Sequence, residues 1–118
     1  MINEDKNVSE YIGSFSEDLI AGLQEVFGDQ LESIIVYGSV ARGMQTDQSD
    51  IDIALIMKIK MDEAHEDKLS DFVVDMNLKY DRVFSVIDID EDAYEKWGNA
   101  SPFYRNVKNE GVVIWKAA

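Results

Sequence analysis

Apolar residues recur along this chain at two different periods. From Val8 to Phe27 they fall at three- and four-residue steps: Val8, Tyr11, Ile12, Phe15, Leu19, Leu23, Val26 and Phe27. That spacing puts them on one stripe of a helix. Ser14 and Glu17 have capping-box spacing and Gly13 weakens the helix just before them. The pattern therefore predicts a short first turn, with residues 1–13 as a partly frayed extension, and a main helix over 16–27 that stops at Gly28. A second helical stripe, Leu69, Phe72, Val73, Met76 and Tyr80, predicts a helix over 61–79.

Between these helices the pattern changes to short β-branched runs. Residues 33–37, 51–57 and 82–89 read as strands, the first two buried on both faces. Asp90 suits the cap of a short helix through Trp97, which Gly98-Asn99-Ala100 breaks. Ser101-Pro102 opens another helix that ends near Gly111, and residues 112–115 read as a last strand. No internal repeat or linker interrupts the order. The sum is one α/β domain over residues 1–118, with a small mixed sheet of three or four strands flanked by helices.

Composition removes several function classes. There is no cysteine and one histidine, His65, so disulfides, thiolate metal sites and His-rich zinc centres are excluded. Trp97, Trp115 and the acidic run 88–92 read as packing and helix capping, and His65 as a solvated surface residue. The first residues show no secretion signal, and no apolar run nears the ~20 residues that cross a bilayer, so the chain reads as cytoplasmic. The net charge of −13 argues against gripping duplex nucleic acid or an anionic membrane. Solubility explains such acidity, and a basic protein partner or divalent cations explain it too.

The candidate chemistry lies between the first two strands, in Gly38-Ser39-Val40-Ala41-Arg42-Gly43 and then Ser49-Asp50-Ile51-Asp52. Side chains alternate along a strand, so Asp50 and Asp52 share a face, their Cα atoms about 6.6 Å apart. Two carboxylates that close repel unless a cation sits between them, and Mg²⁺ prefers such oxygen donors. Gly38 permits a sharp turn and close approach of a ligand, and Ser39 offers a hydroxyl. If residues 39–43 open a helical turn, their N–H groups can meet an anion, and Arg42 can add a forked charge for phosphate or for an aspartate. Together these features suit a nucleoside triphosphate with Mg²⁺.

These residues resemble the signature of the DNA polymerase β-type nucleotidyltransferase superfamily, and the small size is similar to its minimal members. The resemblance implies transfer of a nucleotidyl group, most often AMP from ATP, to an acceptor hydroxyl. It implies Asp50 and Asp52 as catalytic Mg²⁺ ligands, and Gly38, Ser39, Arg42 and Ser49 in nucleotide binding, with Arg42 either touching the nucleotide or bracing the loop. Minimal members are commonly antitoxins that adenylylate a HEPN toxin, so a HEPN-type partner is implied as well, and oligomer formation stays open. The superfamily pattern carries a third carboxylate on the next strand, where this chain has Ser85. That departure implies an alternative: a degenerate transferase fold that neutralises its partner by binding.

Overall fold

The computed structural model describes residues 2–46 and 48–118, with side chains from residue 8 onward. Met1 and Asp47 lie outside the described residues. The first helix, α1 (Ile2–Phe27), runs unbroken through Gly13. The expected break at Gly13 does not occur, and residues 8–13 are part of the helix. The reason is tertiary. Ile12 and Phe15, on either side of the glycine, are buried in the core. That burial outweighs the ~1 kcal/mol a mid-helix glycine costs.

A short 3-10 turn (Gly28–Gln30) leads to β1 (Leu31–Tyr37), which starts two residues before the predicted strand. Gly28 has φ +52°, as its predicted stop role requires. A four-residue helix, α2 (Gly38–Ala41), follows directly, and then β2 (Ile51–Met57). Helix α3 (Glu63–Tyr80) begins after Asp62, whose side chain accepts from the His65 N–H. The predicted start at Met61 is wrong because Asp62 is the cap and Met61 is buried in the core. His65 is also tied more closely than a solvated residue: its Nδ1 lies 2.6 Å from Asp62 Oδ1, and its ring stacks on Phe27. Next come β3 (Phe84–Asp90), α4 (Glu91–Trp97), α5 (Pro102–Glu110) and β4 (Val112–Lys116). Asp90 and Ser101 cap α4 and α5 as their spacing predicts.

The four strands form one mixed sheet in the order β3-β2-β1-β4. β1 is antiparallel to both β2 and β4, whereas β2 and β3 run parallel across the α3 crossover. Alternation along the strands builds two cores. Ile34, Val36, Ile51, Ile53 and Leu55 face α1 and α3 with Leu19, Leu23 and Met76. Ile35, Ala54, Ile56 and Ile89 face the other way, packed with Val107 of α5 and Tyr94 of α4. Trp115 packs against the first core, while Trp97 is half exposed beside Lys96. No helix of the described residues is long and apolar enough to cross a membrane.

Candidate active site

β1, β2 and β3 each contribute one residue to a row at the same height. Tyr37 pairs with Asp52, and Asp52 pairs with Ser85. By alternation Asp52 lies on the face of Ala54 and Ile56, beneath α4 and α5. Asp50, two residues earlier and more exposed, lies on the same side. Ser85 Oγ lies 3.1 Å from Asp50 Oδ2 and donates to it. Ser85, where the resemblance leads to the expectation of a third carboxylate, is thus a neutral donor to Asp50. Asp88 pairs with Leu55, three residues further along, and by alternation lies on the opposite face of the sheet from Ser85. Asp81, at the C-cap of α3 with φ +52°, lines a polar cavity of about 300 Å³ with Ser49, Asp50 and Arg82.

Gly38 is required twice over. Its φ is +73°, a left-handed conformation that side chains rarely adopt. A Cβ there would also stand 2.3 Å from Asp52 Oδ2. The turn and the second aspartate therefore fit together as one unit. The residue before it, Tyr37, provides no side-chain cap to α2. The first N–H groups of α2 have no intrahelical acceptor, so the turn offers donors beside the carboxylates, with Ser39 half buried among them.

Arg42 closes the turn from the other side. Its Nη1 lies 3.2 Å from Glu110 Oε2 at the end of α5. That ion pair is the geometry a brace would use, and Arg42 also lies close enough to Asp52 to oppose the rise in its pKa. Ser49 is committed locally as well: its Oγ accepts from the Thr46 N–H at 2.9 Å, fixing the turn that delivers Asp50. Tyr37 was not singled out from sequence, although its place one residue before Gly38 and its parity with Ile35 put it on the site face. Glu110 carries no sequence signal, because only the fold brings it to Arg42, 68 residues away.

The electrostatics follow from burial. Burial raises the Asp52 carboxyl above its ordinary pKa, and Asp50 adds to the rise, while Arg42 opposes it. Burial also raises the Tyr37 phenol, with Asp52 contributing. Asp52 is therefore a carboxylate short of positive charge. Among the described residues no third acidic or histidine side chain joins the pair to form a closed metal cluster. Two hard oxygen donors with an exposed side fit Mg²⁺, which keeps several waters and takes one or two protein carboxylates.

Known proteins resemble this chain in sequence and in fold. The family model "Polymerase beta, Nucleotidyltransferase" matches residues 17–117. A protein of Methanocaldococcus jannaschii named "Putative protein adenylyltransferase MJ0604" is 32% identical over 97% of this chain and 100% of its own length. A second from that organism, MJ0141, with the same name otherwise, is 29% identical over 91% of this chain and 98% of its own. The fold is also that of two solved assemblies. The MntA–HpeT toxin–antitoxin structure aligns with TM-score 0.56 and 22% identity, over 86% of this chain and 72% of that one. The complex of a tri-AMPylated Shewanella oneidensis HEPN toxin with its MNT antitoxin aligns with TM-score 0.53 and 20% identity, over 86% and 69%. The family model covers all three strands of the site and the Gly38 turn, and the chain belongs to the polymerase beta nucleotidyltransferase family.

Proposed function

We propose that this chain transfers AMP from ATP to a hydroxyl on a partner protein, with Asp50 and Asp52 as its catalytic pair. The observation that carries the proposal is the seating of Asp52 against Gly38, which joins the phosphate-accepting turn to the carboxylates. Full-length relatives named as protein adenylyltransferases support the choice of nucleotide and acceptor class. A toxin–antitoxin structure of this fold holding AMP-PNP supports it too. The partner we propose is a HEPN-type toxin, as in the AMPylated complex. The acidity of the chain, −13 overall, suits a basic partner.

In the reaction, the acceptor oxygen forms a bond to the α-phosphorus and the bond to the pyrophosphate oxygen breaks. The hydroxyl proton passes to water, and pyrophosphate leaves. Such a step needs positioning and charge neutralisation more than protein acid–base chemistry. Asp50 and Asp52 would hold Mg²⁺, which when bound would supply positive charge to offset the triphosphate and lower the pKa of the acceptor hydroxyl. The N–H groups at the start of α2 and the Ser39 hydroxyl orient the phosphates. Arg42 keeps that turn in place through Glu110. Ser49 sets the backbone that carries Asp50.

Ser85 favours a second reading. A hydroxyl that donates to Asp50 cannot add the anionic charge of a third carboxylate. The chain would then bind its partner without modifying it. ATP labelled at the α-phosphate separates the two, with the co-purifying partner and Mg²⁺ present. The transferase reading expects label on the partner that disappears in Asp50→Asn and Asp52→Asn. Tight partner binding with no label, unchanged in both variants, would establish the binding module instead.

A further inference from the structure

The face of the sheet opposite the carboxylates carries an apolar groove that the transfer reaction does not use. It runs between α3 and the outer strand β3, encloses about 350 Å³, and is lined by Leu69, Ser70, Val73, Val74, Phe84 and Val86. Val74 is 55% exposed and Leu78, one turn further along α3, is 78% exposed. Residues 70, 74 and 78 fall on one line of the helix. Solitary exposed apolar residues are ordinary, but two in line above an apolar groove form a continuous surface of the kind that docks a partner.

The charge on α3 around this surface is predominantly acidic, with Arg82 two residues before Phe84 at one end. On α3, Asp71 stands to one side of Val74 and Glu66 to the other, Glu63 and Asp67 lie in the turns before Val74 nearly in line with it, and exposed Asp88 stands on β3. The nearest cations of α3 are turned elsewhere. Lys79 is paired with Asp18 on α1 at 2.5 Å, and Lys68 lies about a third of a turn away from the line. A second copy of this chain would bring another net −13 to the same place and be repelled. Asp88 and Asp90 on the outer strand likewise discourage a further strand from pairing there. What remains is a segment that is apolar along its centre and basic along its margins.

We propose that the α3–β3 groove docks a basic amphipathic helix of a partner protein, its apolar stripe on Val74, Leu78, Val73 and Val86 and its Lys or Arg margins on Asp67, Asp71 and Asp88. The proposal is independent of the transfer reading. A partner held there leaves the Asp50/Asp52 face open, so tethering and modification occupy opposite sides of the sheet.

The test uses the full chain and a synthetic helix of about 18 residues built from leucine and lysine, with leucines at helical spacing. Two controls accompany it: the same residues in scrambled order and a leucine–glutamate helix. Binding is measured by titration calorimetry at about 0.15 M salt and above, where weak surface attraction is screened. The leucine–lysine helix should bind and both controls should fail. The exposed double variant Val74→Gln/Leu78→Gln should keep the circular dichroism of the parent and weaken binding about tenfold or more. Asp67→Asn/Asp71→Asn should weaken it and flatten its salt dependence. Equal binding of the scrambled peptide, or binding untouched by the Val74/Leu78 variant, would overturn the proposal. So would a concentration-dependent dimer in sedimentation that this variant abolishes, since a second copy would then be the occupant.

Discussion

The two faces of the sheet are built differently. Among the described residues, sixteen buried side chains form the core under α1 and α3, and five form the core under α4 and α5. The first face is deep and made of long helices, and its residues serve folding. The second is shallow, and the residues that would extend its core toward α2 are Asp50, Asp52, Tyr37 and Ser85 instead. Burial can be given up on one face only because the other supplies it. The comparison implies that changes on the first face act on stability and changes on the second act on chemistry.

The largest expected effect tests that division directly. Asp52→Asn should reduce transfer by at least about 10²–10³-fold, measured as initial rate of label incorporation. The same substitution should raise stability near neutral pH. The sign follows from the raised pKa: the folded state holds the Asp52 proton more tightly than the unfolded chain does. Stability is therefore lost as pH climbs from the unfolded value through the folded one, and asparagine removes that loss. Urea midpoints of wild type and variant should converge at low pH and separate above it, with the variant the more stable. Destabilisation by Asp52→Asn at neutral pH would mean that the site is not held at the expense of folding.

On the opposite face, Leu23→Ala should cost about 4 kcal/mol by urea denaturation, because a fully buried side chain leaves a cavity that two long helices cannot close. Ile89→Ala, in the shallower core, should cost about 2 kcal/mol, since its surroundings can collapse more easily. Neither substitution should change the transfer rate of the folded protein. Equal costs would erase the contrast between the faces.

Local pattern carried much of this arrangement. The strand–turn–strand motif and the shared face of Asp50 and Asp52 follow from spacing and alternation within short stretches, whereas the departure at Ser85 is visible only against the pattern of the superfamily that the motif resembles. What spacing does not contain is closure between distant segments. Arg42 reaches Glu110, Asp18 takes Lys79 and Tyr80 as partners, and Ser85 donates to Asp50 only once β3 has docked beside β2. The misplaced break at Gly13 has the same origin: local propensity argued for it, and burial of Ile12 and Phe15 against the sheet overrode it. Gly22 is a further case. It gives no turn signal inside α1, and its need for a hydrogen is visible only because a Cβ would stand 2.1 Å from the Phe72 ring of α3.

Gly38→Ala sharpens the comparison at the one residue that joins backbone strain to chemistry. Forcing an alanine to φ +73° costs about 1–2 kcal/mol by itself. The added methyl must also displace the Asp52 carboxylate, so transfer and nucleotide affinity should fall well beyond what the stability loss explains. Fluorescence titration with an ATP analogue, set beside a urea curve, separates the two losses. A Gly38→Ala protein that unfolds earlier but binds and transfers normally would show that Asp52 can relocate, and the fit between turn and carboxylate would lose its functional meaning.

The smallest effect belongs to Arg42. Its partner Glu110 is as exposed as it is, and exposed ion pairs contribute about 0–1 kcal/mol. Arg42→Gln should therefore leave the urea midpoint nearly unchanged. Two roles remain distinguishable in kinetics. As a brace, Arg42 acts through α5, and Glu110→Gln should reproduce its effect on KM for ATP, with the double variant no worse than either single one. As a direct phosphate contact, Arg42→Gln should raise KM while Glu110→Gln frees the guanidinium and lowers it. Opposite signs in the two single variants would move Arg42 from the frame of the site into the nucleotide's own contacts.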